Sequence, residues 1–291
     1  MDIGKYIEYT ESELKRYCDL FFNEGSTVAD AARYSLLDRG KRARATLIYL
    51  TASLVGEDWK RYSPFACAVE MIHCYSLIHD DLPCMDDDDF RRGKPSCHVA
   101  HGEATALLAG DALLGMGLET VAYCEGFSAD EKLEAMKAIT MAMGPQGMIF
   151  GQELDLRYEN SIIDIDTLKL IHKNKTGAMI SLCGKLGSIG TPLSENKRKA
   201  LEVFFANVGL VFQIVDDILD VESTTEELGK PVGSDEENRK STYVSIYGLE
   251  KSKQIARQLT DDAEKVLKEA FGSDECRDML EYTDYLLKRK K

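Results

Sequence analysis

Six aspartates fall within ten residues of this chain: Asp80-Asp81-Leu82-Pro83-Cys84-Met85-Asp86 runs on into Asp87, Asp88 and Asp89. A second group, Gln213, Asp216, Asp217 and Asp220, lies at the helical spacing i, i+3, i+4, i+7 inside Val208–Asp220, a stretch otherwise almost wholly apolar. That spacing puts the four polar residues on one helix face, and the apolar remainder predicts a helix buried nearly all round. Buried carboxylates repel one another and lose hydration, each ion costing several kcal/mol, so a positive partner must meet them. They also sit at the helix end where the dipole disfavours anions. An acidic surface loop is the plain alternative for the first cluster and a solvated helix end for the second. Two such clusters, each closing an apolar helix, argue against both. All-oxygen sites without thiolate suit hard divalent cations, and those that keep positions open for phosphate oxygens suit Mg²⁺. No D-x-D-x-D-G loop with glutamate at its twelfth position occurs, which excludes an EF-hand.

A cation that shares its shell with phosphate calls for basic side chains nearby. Gly40-Lys41-Arg42-Ala43-Arg44 opens a predicted helix, with Lys41 and Arg44 at i, i+3 by its N-terminus, a favourable place for an anion. Arg91-Arg92-Gly93 follows the first acidic cluster, Lys173-Asn174-Lys175-Thr176-Gly177 lies in another helical pattern, and Lys230 and Lys240-Ser241-Thr242 flank the charged stretch after Asp220. Arginine binds phosphate as a fork and lysine as a point charge. Any one of these taken singly is also ordinary surface charge. No G-x-x-x-x-G-K-[ST] loop, G-x-G-x-x-G turn or G-x-S-x-G elbow is present, which argues against nucleotide binding and serine hydrolysis. His79, beside Asp80, reads as a packing or supporting residue rather than a base.

The elements that must position these groups are helices. The chain has 291 residues, 44% of them apolar, enough for a sizeable core, and only 6 prolines. Helical periodicity covers roughly 5–22, 28–37, 42–55, 97–124, 146–157, 166–187, 249–271 and 274–289. Ser63-Pro64 predicts a capped helix to about Leu82, Ser128 to Glu131 forms a capping box, and Ser194 caps a segment to about Val221. No strand alternation is visible, and no Pro/Gly/Ser-rich linker divides the chain, so an all-α single domain over 1–291 is expected. Met85–Pro95 and Ser223–Arg239 break the pattern. With 36 basic against 50 acidic residues the net charge is −14, which argues against nucleic acid as a partner. No apolar run reaches the roughly 18 residues of a membrane span. Met1–Tyr6 lacks the basic start and apolar run of a secretion signal. The eight cysteines contain no C-x-x-C pair, so free thiols in a reducing cytosol, hence a cytoplasmic protein, are expected.

Taken in order, these motifs resemble the trans-polyprenyl diphosphate synthases over nearly the whole chain, and within them the bacterial farnesyl diphosphate synthases. The residues that carry the likeness are Gly40-Lys41-Arg42-x-Arg44, Ser76–Asp86 with Arg91-Arg92-Gly93, Leu108-Ala109-Gly110-Asp111-Ala112-Leu113, Gly151-Gln152-x-x-Asp155, Lys175-Thr176-Gly177, Gln213–Asp220, Lys230 and Lys240–Tyr243. The resemblance implies an isoprenoid synthase fold of ten or more helices around a central cavity, in a homodimer. It implies that Asp80, Asp81, Asp86, Asp216 and Asp220 hold about three Mg²⁺ ions across an allylic diphosphate. Arg91, Lys175, Lys230 and Lys240 would clamp that diphosphate. Lys41, Arg44, His73 and Arg92 would bind isopentenyl diphosphate, and Thr176 and Gln213 would line the place where the carbocation forms. A tail such as Arg289-Lys290-Lys291, with the Ser223–Ser241 segment, would close over the site. No placed side-chain base is apparent, so the departing diphosphate is expected to take the proton.

Residues just before the first aspartates set product length in such enzymes. Tyr75 and Ser76 lie about 6–7.5 Å along the helix from Asp80. Bulky Tyr75 is expected to stop growth at farnesyl diphosphate, although Ser76 rather than Tyr75 shares the Asp80 stripe. Geranylgeranyl diphosphate is the alternative product; a terpene cyclase or a silent subunit are remoter ones. Three positions depart from the pattern: Arg39 for glycine, Ala45 for proline, which is expected to loosen the helix entry, and Phe150 for a small residue, which is expected to narrow the cavity.

Overall fold

In a computed structural model of the chain, the described residues are 2–38, 40–222 and 241–288. Arg39, Lys230, Lys240, the expected closing segment up to residue 240, and Arg289-Lys290-Lys291 lie outside them. The chain groups into two compact units, 2–137 and 138–291.

The first unit holds α1 (Gly4–Phe21), α2 (Thr27–Leu36), α3 (Ala43–Leu54), α4 (Ser63–Asp80), a hairpin of β1 (Phe90–Arg91) and β2 (Lys94–Pro95), α5 (Cys97–His101) and α6 (Glu103–Tyr123), and most of α7 (Ala129–Met143). Its centre is α4 against α6. Gly117 makes this approach possible, since a Cβ there would stand 3.1 Å from the Ala68 carbonyl. Phe65, Ile72, Leu113 and Val121 are fully or almost fully buried, each large apolar side chain contributing about 1.5–3 kcal/mol. A 3₁₀ turn at Trp59–Tyr62 runs straight into α4, so Ser63 is its first residue instead of its cap. The expected helix 97–124 is broken at Gly102, whose φ of 84° suits glycine. The hairpin escapes the sequence reading because two-residue strands show no alternation. Its turn, Arg92-Gly93, has positive φ at both positions (54° and 78°), the pattern of a type I′ turn. α6 is long and apolar enough to cross a membrane by length and composition, contrary to the expectation that no apolar stretch reaches that length. On it Ala106, Ala109, Leu113 and Met116 are buried, while Leu107 and Leu108 are exposed.

The second unit completes α7 and adds α8 (Met148–Arg157), α9 (Ile165–His172), a π-helical turn (Lys173–Gly177), α10 (Ala178–Leu186), α11 (Glu195–Glu222), α12 (Tyr243–Tyr247), α13 (Leu249–Phe271) and α14 (Arg277–Leu287). α11 and α13 form its spine. The predicted caps are present: Glu131 N–H donates to Ser128 Oγ at 3.3 Å, and Lys197 N–H to Ser194 Oγ at 3.3 Å. Leu168, Val211, Ile214, Ile218, Tyr243 and Ala256 make one apolar cluster. α11 is not buried all round as expected: Phe212, Val215 and Leu219 are half-buried and Val221 is exposed. The all-α class holds, the hairpin being the one strand pair among the described residues.

Candidate active site

Helix α4 ends at Asp80, with Asp81 as its C-cap. The chain then doubles back: Met85 N–H donates to the Leu82 carbonyl at 2.8 Å, and Asp86 N–H to the Asp80 carbonyl at 2.8 Å. Two aspartates six positions apart are thereby brought together through their backbones. Asp81 is 2% exposed. Arg91 grips it, Nε donating at 3.0 and 3.2 Å to the two carboxylate oxygens and Nη2 closer still, while Nη2 also reaches Asp88 at 3.2 Å. Burial pushes the Asp81 carboxyl above its usual range, and Arg91 opposes that shift. The hairpin that delivers Arg91 is latched to α2. Lys94 Nζ donates to the Tyr34 carbonyl at 2.7 Å and pairs with Asp38 at 3.4 Å, and the Tyr34 hydroxyl donates to the Pro95 carbonyl at 2.7 Å.

Beside this cluster is a cleft lined by Arg42, His73, Arg91, Arg92 and Lys94 together with Asp38, Glu70 and Asp81. Burial first, and then Arg44, Arg92, Arg91 and Arg42, hold the His73 imidazole well below its ordinary pKa, so it is neutral at pH 7. Gly40 lets Arg92 lie against the backbone, since a Cβ there would come within 3.0 Å of Arg92 Nη1. Of the residues expected on the isopentenyl side, His73 and Arg92 line this cleft, and Arg44 is near enough for its charge to act on His73. Lys41 stands exposed next to Gly40, ahead of α3.

The second acidic cluster belongs to the other unit. On α11, Gln213 Nε2 donates to Asp216 at 3.4 Å, and Asp220 is 3% exposed. Asp217, also buried, accepts the Tyr243 N–H at 2.7 Å and so ties α11 to the start of α12. Thr242 opens α12 with a capping box, and Ser241 Oγ accepts from Ile163 N–H at 3.2 Å. Lys175 Nζ lies 2.7 Å from Asp155 Oδ2. The π turn that carries Lys175 and half-buried Thr176 is gripped by glycines: a Cβ on Gly151 would come 2.1 Å from Lys175 N, and one on Gly209 2.9 Å from Gly177 Cα. His172, stacked on Tyr243 at 5.8 Å and 20°, has its pKa lowered to about 4 by burial, which Asp155 partly opposes.

Tyr75 is buried and packs edge-on against His79 at 5.4 Å, while Ser76 donates to the His73 carbonyl at 2.9 Å. His79 in turn contacts the Leu107 carbonyl at 3.0 Å and fills the space that a Cβ at Gly110 would need. That agrees with a supporting role.

The Tyr34–Lys94 latch and Glu70 beneath Arg42 were not singled out from sequence, and Asp217 and Asp155 were named there without their partners Tyr243 N–H and Lys175. Glu70 did leave a signal, being a lone carboxylate in the apolar run Phe65–Ile72. The donor set fits a hard cation, for every candidate ligand is a carboxylate. Among the described residues no group of three or more His, Cys, Asp or Glu side chains stands together as a metal cluster.

Comparison with known proteins identifies the family. The polyprenyl synthetase family model matches residues 26–281, spanning both units. The chain is 40% identical over 291 residues to the farnesyl diphosphate synthase of Escherichia coli, covering 98% of this chain and 97% of that one. It is 42% identical over 266 residues to geranylgeranyl pyrophosphate synthase 7 of Arabidopsis thaliana, covering 90% and 76%. The crystal structure of a geranyltransferase from Legionella pneumophila superposes with a TM-score of 0.88 at 32% identity, covering 99% of this chain and 96% of that one. The fold is that of the isoprenoid synthases, and the chain belongs to the polyprenyl synthetase family, as a trans-prenyltransferase.

Proposed function

We propose that the protein joins isopentenyl diphosphate head-to-tail to dimethylallyl and then geranyl diphosphate, giving farnesyl diphosphate and releasing diphosphate at each step. The observation that carries this reading is the gathering of guanidinium groups around a neutral His73, next to an acid cluster with its own chemistry. Chain elongation needs places for two diphosphates, whereas a cyclase needs one. Asp80, Asp81, Asp86, Asp216 and Asp220 would hold about three Mg²⁺ ions. Magnesium, when bound, supplies the positive charge that a leaving diphosphate requires. Arg91, Lys175, Lys230 and Lys240 add cationic contacts to the allylic diphosphate, and Lys41, Arg44, His73 and Arg92 bind the isopentenyl one. Thr176 and Gln213 face the developing allylic cation. The allylic C–O bond breaks, the isopentenyl double bond forms the new C–C bond, and the proton it sheds goes to the departing diphosphate.

Tyr75 limits growth to fifteen carbons. Similarity to a geranylgeranyl synthase keeps a twenty-carbon product as the second reading. The enzyme acts as a homodimer in a reducing cytosol, in keeping with cysteines that are all free thiols. The test is incubation of labelled isopentenyl diphosphate with five-, ten- and fifteen-carbon allylic partners and Mg²⁺, followed by product sizing. A fifteen-carbon product from the two shorter partners is expected. Cyclic hydrocarbon formed without isopentenyl diphosphate, or no incorporation at all, would overturn the proposal.

A further inference from the structure

Between Lys41 and Arg44 stands Arg42, and it is built quite differently from either. Lys41 is exposed, but Arg42 is only 4% exposed. Its backbone has φ 45° and ψ 41°, the left-handed region that side-chain-bearing residues rarely occupy. Its guanidinium is enclosed by protein. Nη2 donates to the carbonyls of Leu36 at 2.8 Å and Asp38 at 2.9 Å, Nη1 lies 3.8 Å from Glu70 Oε2, and Nε lies 4.0 Å from Glu11 Oε1. Glu70, on α4 and 5% exposed, also accepts the Ala45 N–H at 3.1 Å, one of the amides that the first turn of α3 cannot satisfy internally. Proline at position 45 would have no such hydrogen to give. Ala45 therefore does not loosen the helix entry, as expected from sequence; it lets Glu70 hold both the turn before α3 and the first turn of α3.

We propose that Arg42 is a positioning residue for the second substrate: docked on Glu70 and two carbonyls, it fixes the left-handed turn that leaves Lys41 outside and starts α3 so that Arg44 falls beside His73. The proposal rests on the assignment of Lys41 and Arg44 to isopentenyl diphosphate given above. Misplacing a binding group by about 1 Å costs up to roughly a hundredfold in rate, so loss of this brace acts on one substrate and spares the other.

The test is steady-state kinetics on Arg42→Ala, Arg42→Lys and Glu70→Gln, with isopentenyl and geranyl diphosphates varied separately and Lys41→Ala and Arg44→Ala measured alongside. Arg42→Ala is expected to raise KM for isopentenyl diphosphate about tenfold or more, with KM for geranyl diphosphate within about twofold. Arg42→Lys restores only part of this, because an ammonium cannot reproduce the fork that spans two carbonyls and a carboxylate. Glu70→Gln shifts the same KM by a smaller factor. Equal shifts in both KM values, or none, would overturn the proposal. If Arg42→Ala does not fold, the near-isosteric Glu70→Gln decides by the same split. If Lys41→Ala and Arg44→Ala leave KM for isopentenyl diphosphate unchanged, the substrate assignment is at fault. If they raise it and the Arg42 and Glu70 variants do not, the positioning role is.

Discussion

The two acidic clusters share a motif but are built by different means. In the first, a helix ends and its chain folds back, so Asp86 meets Asp80 through a backbone bond after a tight turn. In the second, an unbroken helix carries Asp216, Asp217 and Asp220 on one face. Each contains an adjacent aspartate pair, and in each the second member is the buried one. Asp81 is held by a cation, Arg91, whereas Asp217 is held by a neutral backbone donor, Tyr243 N–H. Asp80 and Asp216 are half-buried, while the buried Asp81 and Asp217 also tie the segments around them, through Arg91 and through Tyr243 N–H. In the first cluster the Arg91 guanidinium stands within hydrogen-bond reach of both Asp81 and Asp88.

Removing the leading acids should break both regions alike. Asp80→Ala and Asp216→Ala are each expected to lower kcat by about a thousandfold, the scale of a lost electrostatic contact at a developing charge, with helicity by circular dichroism unchanged. A rate left intact in either variant would remove that cluster from the chemistry.

The second members should separate the regions. Asp81→Ala strands a partly buried guanidinium and is expected to cost about 2 kcal/mol, below the range for fully buried pairs because the Arg91 side chain is 35% exposed. Asp217→Asn keeps an acceptor for Tyr243 N–H and should cost about 1 kcal/mol or less, while Asp217→Ala should cost more. Urea unfolding of the three variants checks the order, and equal losses for Asp217→Asn and Asp217→Ala would contradict the backbone tie.

Burial depresses a histidine in each unit, His73 in the first and His172 in the second, so both lose stability in acid. His172 has a folded pKa of about 4 against 6.5 for a free imidazole. Between these values the unfolded chain binds a proton that the folded chain does not, so stability rises with pH through this window. The contribution is complete above pH 6.5 and is lost as pH falls towards 4, by up to about 3 kcal/mol. His172→Phe, which keeps a ring on Tyr243, should flatten that part of the stability profile; an unchanged slope would show that other groups set it.

The smallest expected effect is on product size. Tyr75→Ala should lengthen the product without a large loss of rate, as read by chromatography of the dephosphorylated alcohols. Tyr75 packs on His79 instead of sharing the Asp80 stripe, so Ser76→Phe is the sharper probe of that stripe and should shorten the product.

Much of this was legible in the sequence, because helices announce themselves through period and caps. Ser128 and Ser194 predicted the starts of α7 and α11 nearly to the residue, and the Gln213–Asp220 stripe lies on one face of α11 as its spacing requires. The break at Gly102 was missed because a glycine inside an apolar helical pattern reads as tolerated until its φ is known. The hairpin at Phe90–Pro95 was missed because its two-residue strands have no period. The roles of Asp81, Asp217 and Glu70 depend on partners 10, 26 and 25 residues away, and spacing within one helix says nothing of those. The π turn depends on two glycines from separate helices, which no local pattern reveals.

The most direct test of the central claim, that both acid clusters bind diphosphate through a divalent metal, is calorimetric titration of inorganic diphosphate into the full chain. The titration is run with magnesium and with chelator, for the native protein, Asp80→Ala and Asp216→Ala. Tight binding in magnesium alone, lost in both variants, is the expected result. Binding that survives the chelator, or that persists when either aspartate is removed, would contradict it.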